Sequence, residues 1–284
     1  MHKQPCEPSI GTDLEMFLFD NEQGQIVPCV GVLPGTKEEP YKPPGYRDGF
    51  AIQEDNVMVE FNIPPATDFG TFYNNVRDAK VMVMKELQDR YGAKYSLYSK
   101  HATHKFTPCE LDSKQAQLIG CEPDFDAYSG GTIRENTTPL SNMRSCGGHI
   151  HLGGNFQCPD FVAALFAELF FNLGTGGDIG FNPDCPRVAW YGMPGIYRPK
   201  PYGIEYRTPN NEWATHNSTI EQVGYVGIRL ASWLTNTDTI EIQRAFRGVP
   251  WLKLKTMLLR PRGPARGKLE SEVYTAATNA GVPL

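Results

Sequence analysis

The stretch IGTDLEMFLF, residues 10–19, decides the fold. Ile10, Thr12, Leu14, Met16 and Leu18 alternate with Asp13 and Glu15, a period of two that predicts a strand with one apolar and one acidic face. The alternation returns in VMVEFNI, residues 57–63, where Val57, Val59, Phe61 and Ile63 oppose Glu60 and Asn62. Short strands are expected at His149–Leu152, after a double glycine, and at Ile204–Thr208, ended by Pro209-Asn210-Asn211. Helical spacing of Phe72, Val76, Ala79, Val83 and Leu87 predicts a helix over Thr67–Tyr91 with Gly92 as its C-cap. Asp160–Leu173 reads as a core helix apolar almost all round. Helices also follow over Ser218–Leu234 and Asp238–Arg247, with Pro250 opening another turn. Such irregular alternation predicts an α+β fold with a curved antiparallel or mixed sheet, rather than a doubly wound parallel one.

The 284 residues suit one domain if a single large sheet organises them. A single domain is expected over 1–260, with a peripheral tail over 261–284, where Pro, Gly and Arg concentrate. Pro34–Asp48, with four prolines, reads as a long surface loop, either a solvated insertion or a lid. With 27 Lys+Arg against 32 Asp+Glu the net charge is -5, so free nucleic acid is not an expected partner. No apolar run suits a membrane span, and Met1–Pro8 lacks a signal-peptide core, so a cytoplasmic location is expected. Seven cysteines without a C-x-x-C spacing predict reduced thiols. Cys146, beside Gly147-Gly148, is the one to examine for reactivity.

Three dyads carry the chemistry: Asp13-x-Glu15, His149-x-His151 and Glu205-x-Arg207. Side chains two apart on a strand share a face, about 6–7 Å from each other. Each dyad has a plain alternative, a solvated edge or a surface ion pair. Together, with Glu60 and with Glu54 at the same parity if its strand runs on, they would form one polar patch. Carboxylates with imidazoles and no thiolates suit Mg²⁺ or Mn²⁺ better than zinc. Divalent ions beside an arginine point to phosphate handling. No P-loop, Rossmann unit or G-x-S-x-G is present, and Gly174–Gly177 follows a helix instead of opening one.

On these residues the sequence resembles the glutamine synthetase/glutamate–cysteine ligase superfamily of carboxylate–amine ligases, in particular the small phage-type COOH–NH2 ligases (type 2). Asp13-Leu-Glu15-Met-Phe-Leu-Phe-Asp20 is similar to the E-x-E-F-F-L-F-D strand of glutamine synthetase. Gly147-Gly148-His149-Ile-His151 resembles its G-x-H-x-H strand, and Glu205-Tyr-Arg207-Thr-Pro209 its E-x-R-x-P strand. The stretch from Asp55 through Glu60 resembles the strand that supplies another carboxylate in ligases of glutamate and cysteine. The motifs occur in family order, with Asp13 where Glu is usual.

The resemblance implies a funnel-shaped antiparallel sheet with helices outside, ATP as nucleotide, and Mg²⁺ or Mn²⁺. It implies that Asp13, His149 and Glu205 share one metal, and that Glu15 and Glu60, with Glu54 or Asp55, hold a second. It gives phosphate contacts to Arg207 and Arg198, with Lys200 beside them, and a proton-transfer role to Glu60 or His151. Expected partners are small-molecule or peptide carboxylate and amine substrates, and oligomer formation stays open. A phosphagen-type kinase, a hydrolase at a binuclear metal site and a non-catalytic binding protein on a decayed ligase fold are the competing readings. Tyr191, Tyr197, Tyr202, Tyr206 and Trp213 are open to stacking on adenine, lining the amine pocket or packing in the core.

Overall fold

The computed structural model describes residues 7–117, 123–134, 142–174, 179 and 181–284. Its first element, β1 (Ser9–Asp20), is long enough to serve two sets of neighbours. It is followed by β2 (Gln25–Val27), β3 (Ala51–Asp55), β4 (Met58–Asn62), α1 (Phe69–Tyr91), β5 (Tyr95–Tyr98) and β6 (Thr103–Lys105). Next come α2 (Lys114–Gln117), β7 (Asp124–Asp126), β8 (Thr132–Arg134), β9 (Met143–Ser145), β10 (Gly148–Gly153) and α3 (Asp160–Leu173). The chain ends with β11 (Ile196–Lys200), β12 (Gly203–Tyr206), α4 (Asn217–Asn236), α5 (Thr239–Gly248), α6 (Trp251–Leu258) and α7 (Pro264–Asn279).

The fold is α+β. Ten strands form one sheet in the order β3-β4-β1-β10-β12-β11-β7-β8, with β2 and β5 on the second half of β1, and β6 pairs separately with β9. Every pairing is antiparallel. The apolar face of β1 that the alternation predicts is buried: Ile10, Leu14, Met16 and Leu18 join a core with Val59, Phe61, Ile150, Leu152 and the inner faces of the helices. Among the described residues no helix is long and apolar enough to cross a membrane.

Helices α1, α3 and α4 cover this face. Asp68 caps α1 by accepting the Thr71 N–H at 2.8 Å, and Gly92 at φ 60 closes it. Helix α4 seats closely because two of its residues have no side chain. A Cβ on Gly227 would lie 2.3 Å from Ile10 Cδ1, and one on Gly224 2.9 Å from Phe72 Cδ1. Helix α3 carries a fully buried carboxyl, Glu168, inside its apolar surface. It accepts from Asn172 Nδ2 (2.8 Å), Thr208 Oγ1 (3.3 Å) and the Gly195 N–H, and burial pushes it from 4.5 to about 7.

The segment expected to be a peripheral tail is instead largely helical. Pro264 stands in the first turn of α7, where its missing N–H is no loss, and Val273 and Ala277 are buried in the core. The strand expected from Val57 starts at Met58, because Asn56 at φ 56 turns the chain between β3 and β4. Of the residues considered above, Thr175–Gly177, Cys6 and Cys121 lie outside the described residues.

Candidate active site

The register of the sheet builds the polar patch. β1 sets Gly11 opposite His151, Asp13 between His149 and Asn62, and Glu15 opposite Glu60. On the far side of β10, His151 faces Glu205, which in turn faces Arg198 on β11. Residues directly opposite across antiparallel strands share a face, so motifs nearly two hundred residues apart become neighbours. Odd positions of β1 read as a scale along that face. Phe17 closes one end against Phe106 at 6.0 Å, Glu15 and Asp13 follow, and Gly11 opens the other end into a cavity of about 300 Å³. Asn62, Pro65, His151 and Tyr202 line that cavity.

Two groups of candidate metal ligands result. Asp13, His149 and Glu205 bring ligand atoms within 4.8 Å of one another, and so do Glu15, Asp55 and Glu60. In the first, His149 Nδ1 lies 3.1 Å from Asp13 Oδ1 and 3.7 Å from Glu205 Oε1, while Nε2 lies 3.1 Å from the Tyr191 hydroxyl. Burial, reinforced by Arg207, takes His149 from 6.5 down to about 3, so its imidazole is neutral, the form that ligates metals. Burial pushes Asp13 up, but His151 and His149 outweigh it and hold the carboxyl well below its usual range.

In the second group burial comes first and like charge adds to it. Glu15 rises from 4.5 to about 7, with Asp55 the next cause, although the Gly147 N–H donates to its Oε2 at 2.6 Å. Glu60 is raised well above its usual value by burial, then by Asp13, Asp55 and Glu15. Carboxylates that oppose one another's ionisation in this way fit a divalent cation. The donor sets, two carboxylates with one imidazole and three carboxylates, match the chemistry of Mg²⁺ or Mn²⁺.

Permanent cations flank the first group. Arg207 pairs with Glu205 through Nη1, donates to the Tyr191 hydroxyl through Nη2, and lies with Nε 3.0 Å from Asp124 Oδ1. Arg198 Nε lies 3.0 Å from the same oxygen, and Lys200 Nζ 2.8 Å from Glu205 Oε2. His151 takes Asp13 Oδ1 at 3.2 Å on Nε2 and the Tyr202 hydroxyl at 2.7 Å on Nδ1. The Tyr191 ring lies against both Arg187 (4.5 Å) and Arg207 (5.3 Å).

Gly147 and Gly148 are required here. A Cβ on Gly147 would stand 2.3 Å from His149 Nε2, and one on Gly148 2.2 Å from Asn210 O.

Asp13, Glu15, Glu60, His149, His151, Glu205, Arg207, Arg198 and Lys200 thus share one face. Glu54 does not. The turn at Asn56 breaks the parity that linked it to Glu60, so Asp55 enters the second group. Glu54 instead accepts backbone N–H groups of Gly31 (3.0 Å), Val32 (2.8 Å) and Leu33 (2.9 Å). Arg144 is likewise structural, donating to Asn56 Oδ1 at 2.9 Å and Ala116 O at 2.7 Å. Cys146 is fully buried, with burial pushing its thiol well up, which removes it as a nucleophile. Of the five aromatics, Tyr191 and Tyr202 touch the site; Tyr197 and Tyr206 lie in the core, and Trp213 donates to Gly148 O at 3.0 Å.

Asp124, which gathers two arginines, escapes sequence reasoning, as does Lys37. The signal for Asp124 is its i, i+2 spacing to Asp126, the same as in Asp13-x-Glu15.

No family model and no curated protein matches the chain. Eight chains among solved structures match. One is described as a GmaS/ADP complex. It is 13% identical at a TM-score of 0.36, over 99% of this chain and 71% of that one. A likeness this distant carries no weight for activity.

Proposed function

We propose that this chain is an ATP-dependent carboxylate–amine ligase of the glutamine synthetase/glutamate–cysteine ligase superfamily, forming an amide through an acyl phosphate. One observation carries the reading: the four motifs, met in family order along the chain, lie side by side on one sheet face as two ligand groups flanked by arginines and a lysine.

Asp13, His149 and Glu205 would hold one divalent ion, and Glu15, Asp55 and Glu60 another. When bound, such ions neutralise phosphate oxygens and the surrounding carboxylates. Arg207, anchored by Glu205, Asp124 and Tyr191, and Arg198, anchored by Asp124, supply pre-positioned positive charge for the transferred phosphoryl group. Lys200 adds to it from β11. A substrate carboxylate oxygen attacks the γ-phosphorus, and the bond to the β–γ bridging oxygen breaks to release ADP. The amine nitrogen then attacks the acyl carbon, the carbon–oxygen bond to phosphate breaks, and the nitrogen gives up one proton. The Glu60 carboxylate, or the His151 imidazole at the mouth of the cavity when it is in its neutral form, would receive it.

Incubation with ATP, Mg²⁺ and pools of carboxylates and amines tests this. ADP and phosphate should appear only when both substrate classes are present. ADP release driven by a guanidino compound alone, or turnover without ATP, would overturn the assignment.

A further inference from the structure

The two acidic groups obtain positive charge from different places. Strand residues Arg207 and Lys200 pair with Glu205 in the first. In the second, the cation paired to a ligand among the described residues is Lys37, whose Nζ lies 3.6 Å from Asp55 Oδ2. We propose that Lys37 is the resident counter-cation of the Glu15–Asp55–Glu60 group and competes there with a divalent ion. The inference rests on the metal-dependent reading above.

Lys37 stands on a pinned base. Two residues before it, Gly35 O accepts the Glu54 N–H at 3.1 Å; four residues after it, Tyr41 exchanges backbone bonds of 2.8 and 2.9 Å with Ile52. Both partners belong to β3, the strand that ends in Asp55. Gly35 has φ +92, and a Cβ there would meet Ile52 O at 2.3 Å, so the chain presses onto β3 where only glycine fits. The turn is closed by the Thr36 N–H to Glu39 O at 3.1 Å and by the Glu39 N–H to Thr36 Oγ1 at 3.2 Å. The Pro34–Asp48 segment therefore presents Lys37 from a fixed position at its N-terminal end.

Three carboxylates packed together need compensation from some cation. The acceptor set is larger still: Gln53, directly across from Glu60, keeps a buried Oε1 with no hydrogen-bond partner among the described residues. An ammonium is a point charge with no coordination demand, so it compensates the group without saturating these oxygens. The Lys37 side chain is 55% exposed, and its head can return to water when a divalent ion takes its place.

Titration with Mn²⁺ alone, followed by electron paramagnetic resonance, tests the competition. Lys37 is a surface residue, so a charge series at this position does not threaten folding. One class of Mn²⁺ site should keep its affinity in K37R, tighten about three- to fivefold in K37Q, and tighten roughly tenfold in K37E. The same class should be the one that Glu15→Gln weakens. Two bound Mn²⁺ with no ordering by charge would overturn the role of Lys37 and leave the ligase reading intact. No Mn²⁺ bound by any variant would overturn both.

Discussion

Asp13 and Glu15 stand two residues apart on one face of β1, yet Asp13 is held well below the usual carboxylate range while Glu15 is pushed up to about 7. Both are buried. For Asp13, His151 and His149 overcome burial; for Glu15, Asp55 adds to it. The sheet thus sets Asp13 between two imidazoles and Glu15 among other carboxylates. The difference teaches that ligand geometry and ligand ionisation are separable. The strands supply both geometries, but direct ion pairs from strand residues go to Glu205 in the first group, while in the second Lys37 pairs with Asp55 and Arg207 acts on Glu15 only from a distance.

The sharpest test is to neutralise one carboxylate in each group and measure urea denaturation in EDTA. Glu205→Gln should cost about 4 kcal/mol, because Lys200 and Arg207 lose their buried partner. Glu15→Gln should cost under about 1 kcal/mol, since the amide replaces a carboxyl already near half-protonation at neutral pH and still accepts from Gly147. Equal losses would erase the contrast.

A second test uses Glu168 as a reference carboxyl, raised chiefly by burial with no contribution from Asp13, Glu15, Asp55, Glu60 or Glu205. Its native value exceeds its unfolded one, so its contribution to stability is complete below about 4.5 and is lost as pH rises through about 7. Between these limits the wild type should lose about 3 kcal/mol more than Glu168→Gln. Saturating Mg²⁺ should suppress the share of the pH dependence that comes from Glu15 and leave the Glu168 share unchanged.

Gly147 joins the groups, touching Glu15 through its N–H and His149 through its lack of a side chain. Gly147→Ala should cost about 2 kcal/mol in denaturation. In a Mn²⁺ titration it should weaken the class of site that Glu15→Gln spares. The smallest effect belongs to Tyr202→Phe. Loss of the 2.7 Å bond to His151 Nδ1 should cost about 1 kcal/mol and leave both classes of Mn²⁺ site in place.

Much of this architecture was legible in the chain. Clean alternation located β1 and β4, helical spacing located α1, α3, α4 and α5, and i, i+2 dyads put ligand pairs on common faces. Short strands hid for physical reasons. β3 and β7 are short and lack a clear period, and their pairing partners alone make them strands. Parity failed at Asn56, since a single positive-φ residue reversed which acidic neighbour faces inward. Lys37 escaped because its relevance depends on where a turn lands in space. Glu168 lies within a helix that reads as apolar almost all round, and its acceptor role depends on Gly195 and Thr208, which are distant in sequence. The tail misled through composition: its proline and glycine mark a helix start.

The odd-residue scale on β1 carries one last implication. Gly11, Asp13, Glu15 and Phe17 hold four successive stations, so cavity mouth, both carboxylate groups and apolar plug are threaded on a single strand. Deleting Thr12 would rotate Leu14 and Met16 into the stations of Asp13 and Glu15 and turn the acids toward the hydrocarbon interior. Heritable drift in this lineage is therefore free to lengthen loops but forbidden to change the spacing of these few positions by one.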